Sequence, residues 1–180
     1  MRIDEQLFFA PGIPFDQVDF FGAKLPDQLA ARVRGFYLEP ARLCAEKEHG
    51  FAAGTLLLAC VDALARWKTG SPQVGERFKE FAEQELPSFS DPSCAERLYT
   101  AFRNGLIHEG RIKAGAQFSF DYQCTCEDLG GVLVINPTFL AHEIEAALNA
   151  FVAELRSNNA LRQRLADRLS RDHKIDRRFA

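Results

Sequence analysis

A chain of 180 residues with 47 % hydrophobic and 26 % charged residues suits one domain with a sizeable core and is too apolar for disorder. Its net charge of −3 argues against a general nucleic-acid coat, which draws its affinity from basic residues. No apolar run reaches the roughly 20 residues of a membrane span, because the longest, "TLLLACVDALA", is short and interrupted by Asp62. "MRIDEQLFFAPG" lacks the basic start and long apolar stretch of a signal peptide. A cytoplasmic protein that does not engage membranes is expected.

Residues 1–23 carry Phe8, Phe9, Phe15, Phe20 and Phe21 among Pro11, Pro14 and glycines. Proline and glycine break a helix there, while the phenylalanines demand burial, so an irregular arm packed on the core or on a second subunit is expected. The first helix should start after Pro26 with Leu29, Val33, Phe36 and Tyr37 on one face. Pro40 bends or restarts it, and Leu43 and Cys44 continue the stripe to Gly50. The second, about Phe51 to Trp67, is apolar nearly all round and reads as the central buried helix. The third runs from Val74 to Leu86 with Phe78 and Phe81 inward and stops at Pro87. Trp67 and the phenylalanine stripes follow helical spacing, so they read as core and not as base-stacking platforms.

In "SDPS", Asp91 is an N-cap and Pro92 suits the first helical position. The fourth helix then runs towards His108 with Cys94, Leu98, Ala101, Phe102, Gly105 and Leu106 in its stripe. After Gly110 the period switches to two. "QFSFDYQC" and "GVLVIN", joined through "EDLGG", read as a hairpin over about 117–136. The fifth helix begins near Pro137 and keeps Leu140, Ile144, Leu148, Phe151 and Leu155 in register. Leu161, Leu165 and Leu169 suit a last amphipathic turn or two. The predicted fold is mainly α: about five helices in a bundle over 24–157, with the hairpin between helices four and five, and a basic helix or tail over 158–180.

Arg162, Arg164, Arg168, Arg171, Lys174, Arg177 and Arg178 face only Asp167, Asp172 and Asp176, a local excess of four positive charges that leaves −7 elsewhere. A solvated helix with i,i+4 pairs and an arm for phosphate backbone are both open readings. Of five cysteines, Cys44, Cys60 and Cys94 fall in helical apolar patterns, as reduced buried thiols do. Cys124 and Cys126 share one face of a predicted strand. Zinc would need two more ligands at metal spacing, and only the isolated His142 follows, so no metal is expected. His49 reads as a helix C-terminal cap. Walker, Gly-rich phosphate-loop and nucleophile-elbow patterns are missing, which removes support for nucleotide hydrolysis and acyl transfer.

The stretch "RNGLIHEG" concentrates chemistry at a helix end. On a regular helix Arg103 and His108 diverge by roughly 140°, from about 100° per residue. They converge only if the last turn unwinds, which Gly105 and Gly110 permit. Asn104 and His108 are i,i+4 partners, so the amide can orient the ring. A purely structural account also exists, with Arg103 on a nearby acid and His108 on the last carbonyls.

Arginine, a polar residue and a histidine in this spacing, late in the fourth helix of a helical bundle, resemble the HEPN domain family and its R-x4-6-H motif. Arg103, Asn104 and His108 match that motif as they stand. The resemblance covers about Leu25 to Leu155; the hairpin and the phenylalanine-rich arm depart from it. It implies a cofactor-free, metal-independent endoribonuclease acting as a homodimer with the two motifs facing across a cleft. Many such proteins are toxins or defence proteins, so an antitoxin or regulatory protein is an implied partner. Some members only bind RNA or a protein, which keeps a non-catalytic dimer as the alternative and a plain helical adaptor as a third reading.

The residue types suit metal-free RNA cleavage, in which the substrate's 2′-hydroxyl attacks. An imidazole titrating near neutrality moves the proton, and a bidentate guanidinium matches the phosphate oxygens. Arg111 and Lys113 are candidates for steering the RNA backbone, opposed by Glu109.

Overall fold

The helices, in chain order, are α1 Leu25–Val33, α2 Glu39–Glu46, α3 Gly50–Lys68, α4 Val74–Glu85, α5 Pro92–Arg97, α6 Pro137–Ser157 and α7 Asn159–Asp172. The strands are β1 Arg2–Ile3, β2 Gln6–Ala10, β3 Ile13–Pro14, β4 Ala116–Phe118, β5 Cys126–Leu129 and β6 Val132–Ile135. The chain is mainly α, as its periodicity predicts. The computed structural model describes residues 2–3, 6–69 and 71–173. Two units divide it: Met1–Phe36 with Leu148–Ala180, and Tyr37–Ala147.

In the first unit the phenylalanine-rich arm is more regular than expected. β1, β2 and β3 form an antiparallel sheet in that order, and Pro14 is tolerated because β3 is an edge strand. Phe9 and Phe20 are buried and meet edge-on at 5.8 Å. The arm packs on α1, which buries Leu25, Leu29 and Val33. Asn158 caps α7, its Oδ1 accepting from Leu161 N at 3.0 Å. The predicted closing turn is thus a 14-residue helix, with Leu161, Leu165 and Leu169 buried. Of the basic segment, Lys174, Asp176, Arg177 and Arg178 lie outside the described residues.

Between α1 and α2 the backbone widens into a π-helical turn, Arg34–Leu38. Hydrogen bonds from i to i+5 insert one residue relative to an α-turn, which shifts the phase of the helical stripe by about 100°. The predicted stripe through Phe36, Tyr37, Leu43 and Cys44 therefore slips. Leu38, Ala41 and Ala45 are buried instead, and Leu43 is 61 % exposed.

In the second unit α3 packs against α2 and α4. It buries Leu57, Leu58, Val61 and Leu64, although Trp67 is only half-buried. Its 19 residues and mean hydropathy of 1.3 match a membrane span in length and composition, more than the sequence reading allowed, and 50 % of that window is buried within the fold. Phe78 and Phe81 of α4 are buried as predicted. Asp91 caps α5 by accepting from Ser93 N and Cys94 N.

The second sheet has the order β4-β6-β5. β5 and β6 are antiparallel, while β4 pairs parallel to β6. Strand β5 comes from the stretch read as a connection, and only residues 117–118 of the predicted first arm are extended in the sheet. Gly130 and Gly131, at φ +61° and +92°, make the two-residue turn that demands positive φ at both positions. That turn sets which residues face β6. Cys124 consequently lies in a loop and does not share a strand face with Cys126. His49 precedes α3; its backbone N–H reaches Cys44 O at 2.9 Å and its side chain caps nothing.

Candidate functional site

The helix begun by α5 does not end as an α-helix. It continues as two π-helical stretches, Leu98–Arg103 and Gly105–Glu109. Asn104 N–H bonds Tyr99 O, five residues back, and Gly110 N–H bonds Gly105 O. A π-turn holds about one residue more than an α-turn, so side chains five apart come nearly into register. Arg103 and His108 converge by widening of the turn and not by the unwinding predicted. Arg103 Nη1 lies 2.8 Å from His108 Nε2.

Two glycines permit this ending. Gly110 sits at φ +65° and closes the helix in the left-handed region. A Cβ on Gly105 would meet Arg111 O at 2.3 Å, because the chain leaving the helix folds back over it. Arg111 N–H bonds Gly105 O at 3.1 Å and Lys113 N–H bonds Ala101 O at 3.1 Å.

The guanidinium is held from three sides. Nε and Nη2 donate to Asp62 Oδ2 at 2.8 and 2.6 Å, Nη1 donates to Asn104 Oδ1 at 3.0 Å, and the group lies over the Tyr99 ring at 5.7 Å. The Arg103 side chain is 12 % exposed and that of Asp62 20 %. His108 is exposed. A guanidinium only donates, so Nε2 accepts and the ring proton of this arrangement sits on Nδ1. Most of the five guanidinium N–H groups are thereby engaged within the protein.

Asn104 touches the guanidinium and not the imidazole, because the wider turn sets His108 beside Arg103 in place of Asn104. Arg111 and Lys113 both pair with Glu109, at 2.7 and 2.8 Å. The Lys113 hydrogen bond, with the two positive charges, holds the Glu109 carboxyl below its usual range. Asp62 was missed. Its signal was available as the single acid inside the apolar "TLLLACVDALA", noticed only as an interruption. Its second oxygen, Oδ1, is buried without a hydrogen-bond partner.

Two thiols are poor nucleophiles: burial pushes Cys60 up, and burial, with neighbouring charge, pushes Cys126 up to about 12. Among the described residues no cluster of three or more histidines, cysteines or acids could hold a metal ion. The site presents one exposed imidazole beside one anchored cation. Comparison with family models, with curated proteins and with solved structures finds no match for this chain.

Proposed function

We propose that the chain is a HEPN-type, metal-independent endoribonuclease in which His108 transfers the proton. The observation that supports this most is the 2.8 Å contact between Arg103 Nη1 and the exposed His108 across five residues. In this reading residues 24–157 make a HEPN-like helical domain and the hairpin is an insertion after the motif helix. A phosphate takes over the Nη1 donor, releasing Nε2 to accept the proton of the 2′-hydroxyl. The 2′-oxygen attacks phosphorus, the bond to the 5′-oxygen breaks, and that oxygen takes a proton from water. Asp62 keeps the guanidinium oriented, and Asn104 holds the same group. Arg111 and Lys113 exchange Glu109 for backbone phosphate, a cheap exchange for exposed pairs. The active form is a cytoplasmic homodimer that brings two motifs together, with an antitoxin or regulatory protein as the class of partner.

The test is cleavage of single-stranded RNA in excess chelator. Cleavage should persist, leave a 2′,3′-cyclic phosphate, and vanish in His108→Ala while RNA binding survives. Activity restored only by a divalent ion would overturn the proposal. The second reading, a dimer that binds RNA or a protein without cutting, draws on the engaged and little-exposed Arg103. It predicts intact RNA from the unaltered protein and no effect of His108→Ala.

A further inference from the structure

A concave site lies in the unit Tyr37–Ala147, a pocket of about 470 Å³ with no part in the chemistry above. Its lining includes Phe51, Phe118 and Phe120, the amide of Gln117, and the carboxylates of Glu48 and Asp121. Phe51 is 55 % exposed, so much of its ring is open to solvent. Its ring stands nearly perpendicular to that of Phe118 at 6.5 Å. The wall is built in: a Cβ on Gly54 would meet the Phe118 ring at 2.1 Å, and Phe118 rests on Phe102 at 5.1 Å. Among the described residues neither Glu48 nor Asp121 joins an ion pair, and no lysine, arginine or histidine lines the pocket.

Aromatic faces attract cations through their quadrupole, and two carboxylates outside any ion pair, Asp121 accepting only from the Ser119 hydroxyl at 3.2 Å, add charge opposite to the cation's. The volume falls in the range of small-ligand sites. We propose that this pocket binds an organic cation, an ammonium or guanidinium group on an apolar body, either as a free amine or as a basic side chain presented by a peptide. A nucleotide brings its own phosphates towards two carboxylates and is disfavoured. The inference is independent of the ribonuclease reading.

Phenethylammonium titrated into the full chain, followed by chemical shifts, tests it against 2-phenylethanol as the neutral isostere. Saturable binding of the cation alone is expected. Glu48→Gln with Asp121→Asn should weaken it about threefold to tenfold, and Phe51→Ala about threefold. All three positions are exposed, and unchanged circular dichroism would show the fold intact. An acetyl-Gly-Arg-Gly-amide arm separates the sources: tighter binding than phenethylammonium assigns the site to a peptide cation, weaker binding to a free amine. Equal affinity for 2-phenylethanol, binding unaffected by the double substitution, or binding of adenosine monophosphate without phenethylammonium would overturn the proposal.

Discussion

Arg103 carries more structural weight than any other residue of the site. Its guanidinium spends one edge on Asp62 and one nitrogen on Asn104 and His108. The Asp62 pair is largely withdrawn from water, so losing one partner strands the other charge. Asp62→Asn is expected to lower stability by about 1–3 kcal/mol, read as a drop in the urea midpoint. Because the two side chains act together, Asp62→Asn combined with Arg103→Ala should cost less than the sum of the single changes. Additive losses would mean that the contact contributes nothing.

At the scale of elements, the π-helical ending depends on close approach of backbone to backbone at Gly105. Gly105→Ala must displace the Arg111 carbonyl, and with it the chain that covers the turn. Destabilisation of about 1–3 kcal/mol, typical of overpacking, should accompany loss of whatever activity His108 supports. A thermal melt and an RNA-cleavage assay on the same sample would show both; an unchanged melt would count against the approach. The start of the same helix makes a pH-dependent contribution. Hydrogen bonds from the Ser93 hydroxyl and the Cys94 and Ser93 amides hold the Asp91 carboxyl below its usual range. A folded-state value below the unfolded one stabilises the fold above the ordinary carboxylate range, and the contribution fades as pH falls through the lowered value. Asp91→Ala should therefore narrow its stability deficit on acidification from neutrality. A deficit constant from pH 7 to pH 3 would remove the cap from the account.

For the molecule as a whole, the ribonuclease proposal requires two motifs to meet. Ile107, beside His108, is 42 % exposed, and Leu43 is more so, leaving apolar surface for a partner to cover. A two-fold homodimer is expected, with roughly 1,200 Å² or more buried in total. Light scattering at micromolar concentration should give twice the monomer mass, and the monomer mass alone would contradict it.

Much of the fold was legible in the chain because helices and caps are local. The period of Leu57, Val61 and Leu64, the breaks at Pro87 and Gly110, and the Asp91-Pro92 start needed only neighbours to be read. The motif residues were legible too, as a grouping. Their arrangement was not. A π-turn changes the spacing rule itself, which brought His108 to Arg103 without the unwinding expected, left Asn104 on the guanidinium, and slid the stripe after Arg34 onto Leu38 and Ala45. Asp62 lies 41 positions from Arg103, beyond any local pattern. The parallel pairing of β4 with β6 likewise joins segments about 17 positions apart, which alternation cannot rank. Local periodicity determined where helices run; the tertiary structure decided which side chains meet, because contacts distant in sequence follow packing and not spacing.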